Sequence, residues 1–314
     1  LPGCKGDEEK LFFSLKEGRM RIFRLHGASF LFLCLFWASL VHGETQPSLV
    51  RVQAAGVPEA LDPSFLKSMA LEVVSKDLNF PGDGAGTFEG VLLARLMGEE
   101  ESITLLSDDQ YLVHLDADFV KKMGAMLVWS QNGLPIPRHR GGPQKLVFAA
   151  YEGLHPSLNA WYVTAFVTGN SADGRALRLV QGEKVLLVAG KEALGPQGRI
   201  REMQPSVPKG YRQIAAFPGR QPVAGFVLED LLKSRDLSWE TLVLKSLAGR
   251  DLRLKRSEVE GRDLFLISYK NQSPLSLPCG GPWALWVPVL KYPDLGGKLP
   301  NPDGLFFVYE ILVE

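Results

Sequence analysis

ITLLSDDQYLVHLDADFVKKMGAMLVWSQNGLPIPRHRGGPQKLVF, residues 103–148, decides how this chain is read. Its pattern returns at residues 242–287 as LVLKSLAGRDLRLKRSEVEGRDLFLISYKNQSPLSLPCGGPWALWV. Sliding the chain by 139 positions places Leu105 on Leu244, Ser107 on Ser246, Leu115 on Leu254, Val120 on Val259 and Leu127 on Leu266. Asn132 then meets Asn271, Pro135 meets Pro274, Gly141-Gly142-Pro143 meets Gly280-Gly281-Pro282, and Leu146 meets Leu285. The 46 positions hold 11 identities without a gap, and most other apolar positions stay apolar. Solenoid units repeat every 20–50 residues or so. One repeat at this long period marks a duplicated domain instead.

Within the unit, residues 103–107 read as a strand and 111–115 as its return, with Tyr111, Val113 and Leu115 on one side and Leu112 and His114 on the other. Asp116 is placed to cap a short helix over 117–123. A strand at 125–129, a Pro-rich loop at 132–140, a strand at 145–149 and a terminal strand at 161–167 follow. Upstream come an opening strand at 48–52, a mixed stretch at 54–68 broken by Pro58 and Pro63, and a strand at 71–74. Residues 81–86 form a Gly-rich turn that lacks the order of a phosphate loop. Gly90 precedes a short helix at 91–97, stopped by Gly98. Residues 171–174 (Ser-Ala-Asp-Gly) read as a linker. After them Gly225 to Leu232 repeats the Gly90 helix and Leu305 to Val313 repeats the terminal strand. Long helices are absent, so the expectation is an α+β, strand-dominated protein with a first domain at 44–170 and a second at 177–314.

At 314 residues, two cores are expected. Lys+Arg and Asp+Glu both number 35, so no basic excess points to nucleic acid. Met20 to Arg24 is short and basic, Ala28 to Val41 is an apolar run, and Val41-His42-Gly43 supplies a compact cleavage site. That is the layout of a secretory signal peptide over 20–43, and the run is short of the ~20 residues of a spanning helix. The mature chain is expected to start near Glu44, and residues 1–19 read as a mis-called upstream extension. The leader carries 6 basic and 4 acidic residues, so its loss leaves 29 and 31, a net charge of −2. It also carries Cys4 and Cys34, which leaves Cys279 with no partner for a disulfide and no companions for a Cys-rich zinc, iron–sulfur or haem site.

Two motifs stand out: Gly followed by a Leu-rich turn, at Gly90 and Gly225, and in the first copy Asn-Gly-x-Pro leading through basic residues to Gly-Gly-Pro and a strand, of which the second copy keeps Asn271, Pro274 and Gly280-Gly281-Pro282. In this order they resemble the oxidoreductase molybdopterin-binding domain, the fold of sulfite oxidase. The matching residues of the first copy are Ser107, Asp109, Tyr111, Asn132, Gly133, Pro135, His139, Gly141, Pro143 and Lys145, and the resemblance covers most of 48–314 as two copies. For members with chemistry it implies molybdenum held by the pterin dithiolene and one protein Cys ahead of the Gly-Leu helix. The corresponding stretches, Met69 to Gly86 and Tyr211 to Val223, contain no Cys, and Cys279 stands where the first copy has Arg140. A soft thiolate suited to that metal is therefore missing. Cofactor-loaded proteins cross membranes folded by the twin-Arg route, whereas Arg21 and Arg24 here are separated by Ile22-Phe23.

The candidate site is the loop Arg138, His139, Arg140 and Gly141 with Lys145, joined by Asp109 and Tyr111: donors beside backbone that a ligand can approach closely. In the resemblance this loop borders the pterin phosphate. The second copy has Leu277, Pro278, Cys279, Trp283 and Ala284 there, so the polar equipment belongs to the first copy. Asp108, Asp109, Asp116 and Asp118 fit turn and cap positions, not an EF-hand or a glycosidase pair. No His pair has metal spacing and no Gly-x-Ser-x-Gly elbow occurs. Cys279, between Pro278 and Gly280, reads as packed and inert. Trp283 and Trp286 read as core or inter-domain packing, or more sharply as an aromatic binding face. The expectation is a periplasmic or secreted protein without metal or cofactor that binds a small anion or a periplasmic protein partner. An active molybdopterin-dependent oxidoreductase with a non-Cys ligand is the alternative, and a structural tandem packed as a pseudo-dimer is a third reading.

Overall fold

In the computed structural model, residues 49–52, 58–169, 176–189, 198–204, 207–211 and 220–314 are described. The leader, the start of the mature chain and the 171–174 linker lie outside them. The fold is α+β and dominated by strands.

The first copy opens with β1 (Val50–Val52), β2 (Glu59–Ala60), α1 (Pro63–Ser68), β3 (Leu71–Lys76), β4 (Ala85–Leu92) and α2 (Leu93–Met97). It continues with β5 (Ser102–Ser107), β6 (Leu112–Asp116), α3 (Ala117–Met123), β7 (Ala125–Gln131), β8 (Leu134–Pro135), β9 (Lys145–Phe148) and β10 (Val163–Thr168). The second copy has β11 (Leu177–Gln181), β12 (Lys184–Ala189), β13 (Arg199–Met203), β14 (Gly210–Tyr211), β15 (Gln221–Val227), α4 (Leu228–Lys233), β16 (Thr241–Ser246) and β17 (Leu252–Lys255). It ends with β18 (Phe265–Lys270), β19 (Ser273–Pro274), β20 (Trp283–Trp286), α5 (Pro293–Gly296) and β21 (Gly304–Val313).

The repeat is repeated in three dimensions. β5 and β16 start 139 residues apart, as do β8 and β19. β1 runs parallel to β10, and β11 runs parallel to β21. β7 pairs β4 and β9 as β18 pairs β15 and β20. Gly142-Pro143 and Gly281-Pro282 are both cis, and Gly141 and Gly280 both take a left-handed φ, 92° and 94°. In the second copy all the strands but β14 run as one ten-stranded sheet. In the first, β9 and β10 stay linked only where Leu146 N donates to Ala160 O and Val163 N donates to Gln144 O, and the strands fall into two sheets.

Gly90 and its partner Gly225 begin neither helix. Val91 and Leu92 continue β4 opposite Leu127 and Met126, so α2 starts at Leu93, and α4 starts at Leu228, later than the sequence reading placed them. Helix α1 lies in the stretch read as mixed. Asp62 Oδ1 accepts from Ser64 N and Pro63 fills the first turn, the ordinary start signals of a helix. This bond holds the Asp62 carboxyl below its ordinary value of 3.8. A group with a depressed folded pKa contributes above its unfolded value and loses the contribution as pH falls through the folded one. Asp62→Ala should lower the urea midpoint at pH 7, with the gap to wild type closing in acid. Asp116 precedes α3 but makes no side-chain capping bond, and Gly124 in the left-handed region ends that helix.

Each copy has its own core, and a third lies between them. Leu106, Leu112, Ala165 and Val167 of the first copy pack with Val223, Phe265, Ile267, Leu275, Leu277 and Phe306 of the second. Each Val, Leu, Ile and Phe among them contributes about 1.5–3 kcal/mol of burial. Polar contacts fix the register. Buried Gln110 accepts from Phe306 N at 3.0 Å and from the Asn301 amide, and Thr164 Oγ1 donates to Ala248 O at 2.7 Å. β14, from the second half of the chain, adds a parallel strand to β6 of the first.

Candidate functional site

The loop from Ile136 to Lys145 leads from β8 into β9, both of which pair β7 in the first copy. Gly141 has to be glycine there, because a Cβ would sit 2.6 Å from the Trp161 ring. Around it aromatic rings and guanidinium groups form one ladder. The Arg140 guanidinium lies 4.2 Å from the Phe80 ring centroid, and Phe80 stacks on Trp161 at 5.7 Å. Trp161 meets Tyr162 edge-on at 5.9 Å, and Arg138 lies 4.2 Å over Tyr162. Cations over aromatic faces are attracted by the ring quadrupole, which preorganises both arginines.

Each cation of the loop has a carboxylate of its own. Arg138 pairs with Asp108 at 2.8 Å, Arg140 with Asp83, and Lys145 with Asp77. The Lys145–Asp77 pair is fully buried. The Lys145 ammonium also donates to Arg140 O at 3.1 Å, while Asp77 accepts from the Asn159 amide at 2.9 Å and from Asn79 N at 3.1 Å. Burial pulls the Lys145 ammonium below its ordinary value, against the pull of Asp77. Lys145 thus lies beneath the loop as a support for it and is not on the surface that a ligand meets.

An open cleft of about 410 Å³ lies beside Arg140, lined by Asp83, Ala85, Gly86, Gln131, Asn132, Leu134, Pro135 and Pro137. The buried Nε of Arg140 has no hydrogen-bond partner among the described residues. Of the sequence candidates, only Arg140 lines this cleft. Arg138 turns to Asp108 and Tyr162, and His139 is exposed. Asp109 Oδ1 accepts from Tyr111 N at 3.1 Å, an Asx turn, and Tyr111 donates its hydroxyl to Ser157 O at 2.7 Å. Burial raises the Asp109 carboxyl, with Asp108 adding to the rise, and burial also raises the Tyr111 phenol.

Asp77, Phe80, Asp83 and Asn159 were not singled out from sequence. Lys145 and Asp77 are 68 residues apart, and no local spacing signals a pair that only β-sheet topology assembles.

In the second copy the same loop is a wedge. Leu275 and Leu277 are buried in the inter-copy core, with half-buried Cys279 against them. Phe306 stands over Gly280 as Trp161 stands over Gly141. Trp283 is stacked on Phe226 inside the second core, and Trp286 packs at the inter-copy core. Both tryptophans are packing residues. The lone histidines serve locally: His114 bonds Thr104 at 2.9 Å, and His155 caps the turn at 156–158.

The molybdenum cofactor implied by the sequence resemblance does not fit these residues. The stretch from Met69 to Gly86 offers Asp77 and Asp83, both committed to cations, where a thiolate is needed. Cys279 belongs to the packed loop of the other copy. Among the described residues no three His, Cys, Asp or Glu side chains are grouped to hold a metal ion.

Comparison with solved structures finds a likeness to the crystal structure of the sulfane dehydrogenase SoxCD from Paracoccus pantotrophus. It has 10% identity, covers 76% of this chain and 74% of that one, and has a TM-score of 0.30. At that score it carries no argument about this chain. No family model matches the sequence, and no curated protein matches it. Among the described residues no helix is long and apolar enough to cross a membrane.

Proposed function

We propose that the protein is exported and works by binding, taking a small anion that also carries a hydrogen-bond donor into the cleft of the first copy. The observation that supports this most is the Asp83–Arg140 pair, both of whose members line the cleft. An anion in the cleft takes the guanidinium from Asp83, and a donor on the same ligand then satisfies the Asp83 carboxylate. A ligand with charge alone would have to displace Asp83 without replacing its bond. Gln131 and Asn132 also line the cleft and carry neutral amides.

Inorganic phosphate has both features at neutral pH, and sulfate has only the charge. Calorimetric titration should show one phosphate site, with sulfate binding at least about tenfold more weakly because it leaves Asp83 unpaired. Arg140→Gln should abolish the phosphate signal. Equal binding of the two anions, or an unchanged Arg140→Gln variant, would sink the proposal. A protein partner is the second reading. Leu134, 60% exposed at the rim beside Pro135, favours it.

A further inference from the structure

The cleft beside Arg140 carries balanced charge. Its lining includes one carboxylate, Asp83, one guanidinium, Arg140, and two neutral amides, Gln131 and Asn132. Asp83 and Arg140 are paired with each other, at 46% and 25% side-chain exposure. A pair that meets water is worth little and opens readily, unlike the fully buried Lys145–Asp77 pair. When it opens, the guanidinium stays placed, because it lies 4.2 Å from the Phe80 ring centroid. Asn132 Oδ1 accepts from Thr87 N at 2.9 Å, so what its side chain offers a ligand is the amide N–H. That donor suits a carboxylate.

The lining also has an apolar side. Leu134, Pro135 and Pro137 present carbon to the cleft, and Leu134 is 60% exposed. Such surface gains from being covered. The volume of about 410 Å³ falls in the range of small-molecule sites, roughly 300–1,000 Å³.

We propose, resting on the anion-and-donor reading of this cleft, that its ligand is a free α-amino acid with an apolar side chain. The carboxylate takes Arg140, the ammonium takes Asp83, and the side chain covers Leu134 and Pro135. Each member of the opened pair gains a new partner of opposite charge, so no charge is left alone. A zwitterion also adds no net charge to a lining that has none, whereas a phosphate dianion leaves a surplus. Its side chain covers the exposed Leu134, which an inorganic anion leaves in water.

Calorimetric titration of the full chain with L-leucine tests this, beside phosphate and two analogues that keep one charge each. Isocaproate lacks the ammonium, and isoamylamine lacks the carboxylate. Leucine should bind at one site in competition with phosphate, and each analogue at least about tenfold more weakly. Glycine, without the isobutyl group, should lose about tenfold as well. Asp83→Asn, at a half-exposed side chain, should erase the preference for leucine over isocaproate. Leu134→Ser should bring leucine down towards glycine. Phosphate bound without leucine would overturn the amino-acid assignment and leave the anion reading standing, and neither bound would end both. Leucine no tighter than isocaproate, or a preference that survives Asp83→Asn, would also overturn the assignment.

Discussion

Asp77→Ala should destabilise the protein by about 3–5 kcal/mol, because it strands the Lys145 ammonium in the interior without its carboxylate. Both side chains of the pair are buried, at 0% and 1% exposure, so little water reaches the charge left behind. The remaining partner, Arg140 O, is a neutral acceptor and cannot compensate it. The penalty should depend on pH in a definite direction. Burial already holds the Lys145 ammonium below its ordinary value, and loss of Asp77 removes an opposing influence. Between the folded value and the ordinary 10.5, the unfolded chain carries the extra proton, so stability rises with pH there. The deficit of Asp77→Ala relative to wild type should therefore be larger at pH 7 than at pH 10. Urea unfolding at the two values checks it, and a deficit that grows with pH would show that Lys145 is not the stranded group. Since Lys145 also bonds Arg140 O, the variant should loosen the loop that carries the cleft arginine.

Gly90→Ala and Gly225→Ala should each cost about 3 kcal/mol, the upper end for overpacking. The reason is the same in both copies. A Cβ at Gly90 would lie 2.1 Å from Leu127 O, and one at Gly225 would lie 1.7 Å from Leu266 O. Those oxygens belong to β7 and β18, the central strands of their sheets, and backbone cannot move aside as a side-chain tip can. Each glycine also sits at a register shift between paired strands. Thermal unfolding of the two variants checks the equivalence of the copies. A large loss at one glycine and none at the other would show that the repeat is not structural there. Gly133→Ala serves as the comparison. It has a left-handed φ but open space around it, so its cost is conformational and smaller.

The duplication was legible because identities such as Leu127/Leu266 and Gly141/Gly280 sit where the two copies share packing and backbone geometry. The strands were legible by alternation, which put Val113 and Leu115 in one core and Leu112 in another. The helix starts were not, because Gly90 reads locally as a helix boundary and in fact marks a close strand approach. Of the site, the loop and its arginines were visible as residue types. Their partners Asp83 and Asp77 were not, since their distance from the loop is closed only by sheet pairing. Lys145 looked like a ligand-facing cation, and strand alternation alone could not tell a buried ion pair from an exposed charge. The second copy's loop was legible as apolar, and its burial between the copies is the physical reason for that composition.

The proposed binding site of the first copy is built from arginine–carboxylate pairs and has no thiolate to hold molybdenum. The most direct measurement is elemental analysis of the protein purified after expression in cells that make molybdenum cofactor. Molybdenum at background is the expected result. One molybdenum per chain, removed by denaturation and absent from an Arg140→Gln control, would contradict it.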